Sequence, residues 1–164
     1  MQKPNANLSK TKEVETVQPE TGMRLLDASP FVRHVQLLPI RPGDYPQPTR
    51  SYDCRLFYVY RGEGQMFLDG STYPLERGDL VLWQPGTPYR MEAADGGMQF
   101  LCVNFDLTLG YADRGYPIPP DRLDQFDEDA MTARVRFSDA DLLNRPVWLR
   151  GMQSVEEELL EMKR

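Results

Sequence analysis

Histidine is nearly missing from this chain: His34 is the only one in 164 residues. Cysteine is almost as scarce, and two residues, Cys54 and Cys102, cannot make a disulfide framework. Both sit in apolar, strand-like runs, where a free cysteine behaves as a small hydrophobe. Long apolar runs are missing too. Nowhere do about 18 apolar residues follow one another, and the N-terminus has no apolar leader core. A protein without a membrane partner, located in the cytoplasm, is expected. Excess positive charge is the last absence, since 19 Lys and Arg face 25 Asp and Glu, a net charge of −6. These residues are not expected to bind nucleic acid, because phosphate contacts need clustered cations.

What the chain does have is enough apolar material for one core. Hydrophobic residues make up 40% and charged residues 27%, the balance of a single globular domain. Its centre is residues 52–91, where turn signals recur at a nearly constant step. Gly62-Glu63-Gly64, Asp69-Gly70, Arg77-Gly78-Asp79 and Pro85-Gly86 mark it, with Gly62, Gly70, Gly78 and Gly86 eight residues apart. Between them lie Arg55–Tyr60, Gln65–Leu68 and Leu80–Trp83, all rich in aromatic and aliphatic residues. A helix does not tolerate this, since each interior glycine costs roughly 1 kcal/mol relative to alanine. Short strands at a regular step of about 8–12 residues instead predict a mainly β sandwich or barrel. Asp69-Gly70 is the sharpest signal, because both residues accept the positive φ of a tight hairpin turn.

Residues 1–20 are polar and lack periodicity, and read as a flexible N-terminal arm. The barrel core is expected over 21–107. Arg24–Leu26 and Phe31–Ile40 are its candidate first strands, residues 41–49 a proline-rich loop, residues 94–97 (ADGG) a further turn and Met98–Leu107 a further strand. Residues 108–145 form a long connection, with Arg134–Phe137 as a candidate edge strand. Over 146–164 a C-terminal helix is expected, opening at Asn144 and Pro146. Trp148, Met152, Val155, Leu159 and Met162 recur there at steps of 4, 3, 4 and 3, the spacing of a dimerising or inter-domain seam. A helix packed on its own barrel explains the same stripe.

The run Tyr58-Val59-Tyr60-Arg61-Gly62-Glu63-Gly64, followed by Asp69-Gly70, Tyr73–Leu80 and Pro85-Gly86-Thr87-Pro88-Tyr89, resembles the cupin pattern. More narrowly, residues 25–107 are similar to the N-terminal sensing domain of AraC-type transcription regulators. The resemblance implies a cupin-type double-stranded β-helix, a jelly-roll barrel with a C-terminal helix, whose interior takes a small-molecule effector, often a sugar. It further implies a homodimer that meets DNA only through a C-terminal helix-turn-helix domain absent from these residues.

Departures from the pattern matter as much. Metal-binding cupins place two His and a Glu on the strand before the first glycine and a third His after the Pro-Gly turn. Here the Glu position falls on Arg55, the His positions among Pro48, Thr49, Arg50 and Ser51, and the last on Tyr89. No metal or other cofactor is expected, because such sites need several converging imidazole or carboxylate ligands. Without a histidine base in the barrel an enzyme is not expected either. The alternative is a stand-alone cupin enzyme, such as a sugar-nucleotide epimerase or isomerase. A third reading is a structural module whose barrel is filled by side chains. If Arg55 takes the inward position, Phe57 shares its face by strand alternation, and the charge wants a polar partner. Candidate ligand-binding residues are therefore Arg55, Phe57, Trp83 and Tyr89, with Arg50 and Gln65 beside them; the effector is a sugar or an organic acid.

Overall fold

The computed structural model describes residues 20–114 and 117–163. All of the expected arm except Glu20 lies outside the described residues. Among the described residues ten strands are present: β1 (Glu20–Met23), β2 (Phe31–Ile40), β3 (Thr49–Arg50), β4 (Cys54–Leu68) and β5 (Ser71–Glu76), then β6 (Leu80–Trp83), β7 (Pro88–Asp106), β8 (Asp121–Arg122), β9 (Arg134–Phe137) and β10 (Val147–Leu149). One short helix, α1 (Glu156–Glu161), follows. The main sheet runs β10-β6-β4-β7-β3-β8, with β2 joined to β7 and β5 to β4, and every pairing in it is antiparallel.

Two long strands organise the barrel. β4 has 15 residues and β7 has 19, and they pair along almost their whole length. Their first and second halves contribute to opposite walls, so each must bend midway. The bend is made by bulges: pairing shifts between Val59 and Arg61 and again between Gly62 and Gly64, where residues 94–97 stand opposite Glu63. Both glycine clusters predicted as turns, at 62–64 and 94–97, are therefore bulges inside continuous strands. Gly62 has φ 79°, and a Cβ on it would sit 2.1 Å from the Gly97 carbonyl oxygen. Turns do occur at the other three marks. Asp69 and Gly70 have φ of 49° and 77° and close the β4–β5 hairpin between Leu68 and Ser71. Gly78 and Gly86, at φ 92° and 75°, turn the chain between β5 and β6 and between β6 and β7.

Alternation along the paired strands gives the barrel an inner face of Phe57, Val59, Met66, Leu68, Val81, Trp83, Met91, Phe100 and Cys102, all buried in one cluster. The outer face of β4, β6 and β7 is apolar as well. Tyr58, Leu80 and Leu101 pack there against Met152, Leu159 and Leu160 of the C-terminal segment. The Tyr58 hydroxyl donates to Glu156 Oε2 at 2.6 Å and Arg77 Nη2 to Oε1 at 3.1 Å, which fixes the start of α1 on the sheet.

Three expected elements differ. Leu25–Asp27 is a 3-10 turn, not a strand, because Arg24 pairs with Asp27 three residues on and Asp139 accepts from the Leu25 amide. The strand instead lies just before it, in β1, and pairs in parallel with β9. The helix expected over 146–164 occupies only Glu156–Glu161, since Val147–Leu149 pairs with β6 as β10 and Gly151 at φ 69° ends any continuous helix. Asn144 is not a helix start; its amide bonds both the N–H and C=O of Phe137, at 2.7 and 2.9 Å. Gln84 does the same for Val135, at 2.7 Å each way. Two side-chain amides thus replace the neighbouring strand that β9 lacks on that side.

The glycine geometry yields a graded expectation. Gly70→Ala meets nothing within 4 Å and carries only left-handed strain, about 1–2 kcal/mol. Gly62→Ala adds a backbone collision at 2.1 Å and is expected to cost more than about 3 kcal/mol. Urea unfolding of the two variants checks this; equal losses would refute the bulge account.

Candidate functional site

One end of the barrel is polar. Across four adjacent strands the inner side chains Trp83, Arg55, Asn104 and His34 stand in register, on β6, β4, β7 and β2. A rung deeper come Val81, Phe57, Cys102 and Gln36, and deeper still the interior is apolar. Arg33 joins this end through a bulge in β2 between Val32 and His34, which turns an otherwise outward position inward.

Arg33, Asp53, Arg55 and Asp106 are all buried, none more than 8% exposed. Arg55 Nε stands 2.8 Å from Asp53 Oδ1, off line for a hydrogen bond, and Arg33 Nη2 bonds Asp106 closely. Arg33 Nε lies 4.0 Å from the other Asp53 oxygen. Two cations and two anions thus balance away from water. Outer guanidinium nitrogens reach carbonyls of the chain that follows β7: Arg33 to Tyr111 at 2.6 Å and Arg114 at 3.2 Å, Arg55 to Ile118 at 2.8 Å.

Burial sets the electrostatics. It pushes the Asp53 carboxyl up to about 6; Arg55 pulls against it, Asp106 adds to the rise and Arg33 opposes it more weakly. The Cys102 thiol rises to about 11 for the same reason, with Arg55 opposing. His34 is lowered by burial and then by the nearby Arg55 charge, so it is held toward the neutral imidazole.

The predicted site residues separate into two groups. Arg55, Phe57, Trp83 and Tyr89 do come together: Phe57 lies 4.9 Å from Trp83 and 6.4 Å from Tyr89, ring centre to ring centre, and Trp83 lies 4.8 Å from Tyr89. Gln65 and Arg50 do not join them. Gln65 faces outward at the opposite end of the barrel, beside an open pocket of about 330 Å³ also lined by Glu63, Glu76, Glu92 and Arg150. Arg50 points outside, over the Phe126 ring at 5.7 Å and 3.5 Å from Glu128. Both fall on the wrong side of their strands. Trp148, Met152, Val155, Leu159 and Met162 are likewise no single stripe. Trp148 lies in β10 against Tyr73 at 5.4 Å, Met152 and Leu159 pack on this chain's own sheet, and Met162 is exposed.

Asn104, Asp106 and Arg33 were missed. The alternation Cys102, Asn104, Asp106 was legible, but it reads as an ordinary strand until the partners are known. No local pattern foretells Arg33, because the bulge reverses its side.

The metal that the cupin resemblance brings to mind has no fitting donor set here. Arg55 puts a buried cation at the carboxylate position, and Tyr89 sits among rings. Among the described residues no group of three His, Cys, Asp or Glu converges. No helix among them is long and apolar enough to cross a membrane.

A titration follows from the Asp53 environment. The folded carboxyl at about 6 lies above its ordinary 3.8, so between those pH values the fold holds a proton that the unfolded chain has released. This group's contribution is therefore most favourable below about pH 4 and falls as pH rises through about 6. Carbon-13 NMR of labelled aspartate is expected to give Asp53 a midpoint near pH 6, and Asp53→Asn to remove that pH dependence of stability. A midpoint near 4 would contradict the burial argument.

No curated protein matches the chain. Solved structures show distant likenesses. Salicylate 1,2-dioxygenase from Pseudaminobacter salicylatoxidans is 20% identical over 43% of this chain and 20% of its own, at a TM-score of 0.40. An oxalate decarboxylase variant from Bacillus subtilis is 20% identical over 44% and 21%, at 0.39. Procruciferin, an 11S globulin from Brassica napus, is 17% identical over 56% and 26%, at 0.46. The chain thus spans about a fifth to a quarter of the length of these proteins. Residues 37–104, from β2 to the polar rung of β7, match the cupin domain family, a stretch that holds all of β4 and most of β7.

Proposed function

We propose that the chain is the effector-sensing and dimerisation domain of an AraC-type transcription regulator. It takes a small neutral polyhydroxylated metabolite, a sugar, at the polar end of the barrel, without a metal and without transforming it. One observation carries this reading. The buried charges at that end already balance, yet polar atoms of both kinds remain without hydrogen-bond partners: Trp83 Nε1 as donor, Ser51 Oγ and Asp53 Oδ2 as acceptors. Leaving such groups unpaired costs about 1–3 kcal/mol each. A neutral polyol supplies donors and acceptors together, whereas an organic acid adds an uncompensated negative charge. Phe57 and Tyr89 offer the apolar wall. Support for a homodimer is the outer sheet face beside α1, where Val35, Leu56 and Leu82 are only partly covered and Val32 and Leu149 are exposed.

A second reading has its own support. Phe57, Trp83, Tyr89 and Phe100 pack ring on ring, none more than 5% exposed. That packing suits a structural module with a filled barrel.

Thermal unfolding with D-glucose, D-xylose, D-galactose, acetate and benzoate separates these. A ligand at a hundred times its Kd stabilises by about 2.7 kcal/mol, so a sugar that binds should raise the Tm by several degrees. Trp83→Phe, which keeps an aromatic side chain but loses the donor, should weaken it about tenfold. Shifts with the acids alone would overturn the sugar assignment, and no shift would favour the filled barrel. Light scattering at tens of micromolar should give the mass of two chains; a monomer would remove the dimer.

A further inference from the structure

The chain after β7 reaches into the site just described. Arg55 Nε faces Asp53, and Nη2 donates to the Ile118 carbonyl at 2.8 Å. The ion pair, the bond to Ile118 and a contact with the Cys102 thiol are all made within the protein. Trp83 stands beside Arg55 in the β4–β6 pairing, with its Nε1 buried and lacking an acceptor.

What holds Ile118 there is slight. From Pro117 to Ala130 no residue is buried. The two-residue strand β8 pairs with β3, Thr49 with Arg122 and Arg50 with Asp121. Tyr52 supplies a second fastening: its hydroxyl donates to Asp121 Oδ2 at 2.7 Å and accepts from the Asp127 amide at 3.1 Å, while its ring stacks on Phe126 at 4.5 Å. Nearer the end of the stretch Arg50 lies over Phe126 and 3.5 Å from Glu128, and Arg114 donates to the Ala130 carbonyl. Polar contacts and one ring stack, with no side chain fully buried, mark a stretch that opens at lower cost than the core while the fold stays intact. Arg55 itself is fixed on the long central strand β4.

We infer that the Ile118 carbonyl is a built-in competitor for the effector, so that seating of residues 117–130 and occupation of Arg55 by effector oxygens exclude one another. The inference rests on the proposed binding at the polar end of the barrel. An oxygen that takes Arg55 Nη2 must displace Ile118, and binding is then coupled to release of the stretch. Linkage makes the coupling reciprocal: loosening the stretch raises the populated fraction of the competent form and with it the apparent affinity. Effector binding thereby becomes a change in the surface that residues 117–130 present.

The experiment uses the full chain, the same three monosaccharides as probes, and hydrogen exchange read over residues 117–130. Any sugar that binds should speed exchange in this stretch while slowing it in β4. Asp121→Ala removes the Tyr52–Asp121 hydrogen bond and should tighten that sugar about fivefold, the effect of one ordinary hydrogen bond. Asp121→Asn keeps an acceptor oxygen and should restore the original affinity. A sugar that binds while exchange over 117–130 stays constant or slows overturns the competitor and leaves the sensing reading intact, whatever the variants do. Equal affinity of Asp121→Ala and the unaltered chain, with faster exchange in the variant, does the same. If none of the three sugars binds either protein, the sugar-sensing reading fails and the competitor with it.

Discussion

Four charges out of contact with water govern this molecule. Taken singly, a carboxylate or guanidinium buried at this depth would carry a desolvation penalty of several kcal/mol. Arg33, Asp53, Arg55 and Asp106 avoid it by mutual neutralisation, and the outer nitrogens of the two arginines add bonds to the carbonyls of Tyr111, Arg114 and Ile118. Removing one partner of such a set typically costs about 3–5 kcal/mol, because the charge left behind has nowhere to turn. The long connection after β7 therefore runs where it does for an electrostatic reason. It supplies the acceptors that the barrel's own strands, committed to their ladders, cannot.

The rest of the architecture solves a second problem, the bending of two strands that serve both walls. Gly62 permits the close approach to Gly97 that a side chain would prevent. Beyond the barrel, β9 has β1 on one side only, so Gln84 and Asn144 supply amides in place of a missing strand. Each device serves the same rule, that a buried backbone N–H or C=O must find a partner. Tyr58 and Glu156 apply it to side chains, fixing a helix of six residues that is too short to be stable alone.

The parts visible in the sequence were those set by local physics. Asp69-Gly70, Gly78 and Gly86 need positive φ and announce turns; Phe31–Ile40 and Arg134–Phe137 announce strands by composition and emerge with those limits. Arg55 and Phe57 were legible as one wall because alternation within a strand is a local property, whereas Trp83 joins them only through the β4–β6 pairing. Where the outcome depended on a distant partner, the signal was ambiguous. A glycine pair fits a bulge or a turn equally well, and only the pairing of Gly62 with Met98 decides between them. Trp148 fitted a helical stripe until its neighbours in β6 and Tyr73 claimed it for a strand. Arg33 was unreadable, since a one-residue irregularity in β2 reversed its side.

Stability and recognition are separated along the barrel axis, and that separation is what makes a polar interior tolerable. The deep rungs, with Val59, Met66, Leu68, Val81 and Phe100 fully or almost fully buried, carry apolar burial worth about 1.5–3 kcal/mol per large side chain. Such a foundation does not depend on the rung of Trp83, Arg55, Asn104 and His34 being optimally bonded. Unpaired polar atoms can therefore persist at that end at a cost of a few kcal/mol, provided the apolar half keeps the strands in register. A site built the other way round, with its polar atoms at the middle of β4 and β7 where the strands bend, would set that penalty against the pairings that shape the barrel. The position of the polar rung at one end, under a segment with little apolar anchorage, allows rearrangement there while the deep core holds its packing.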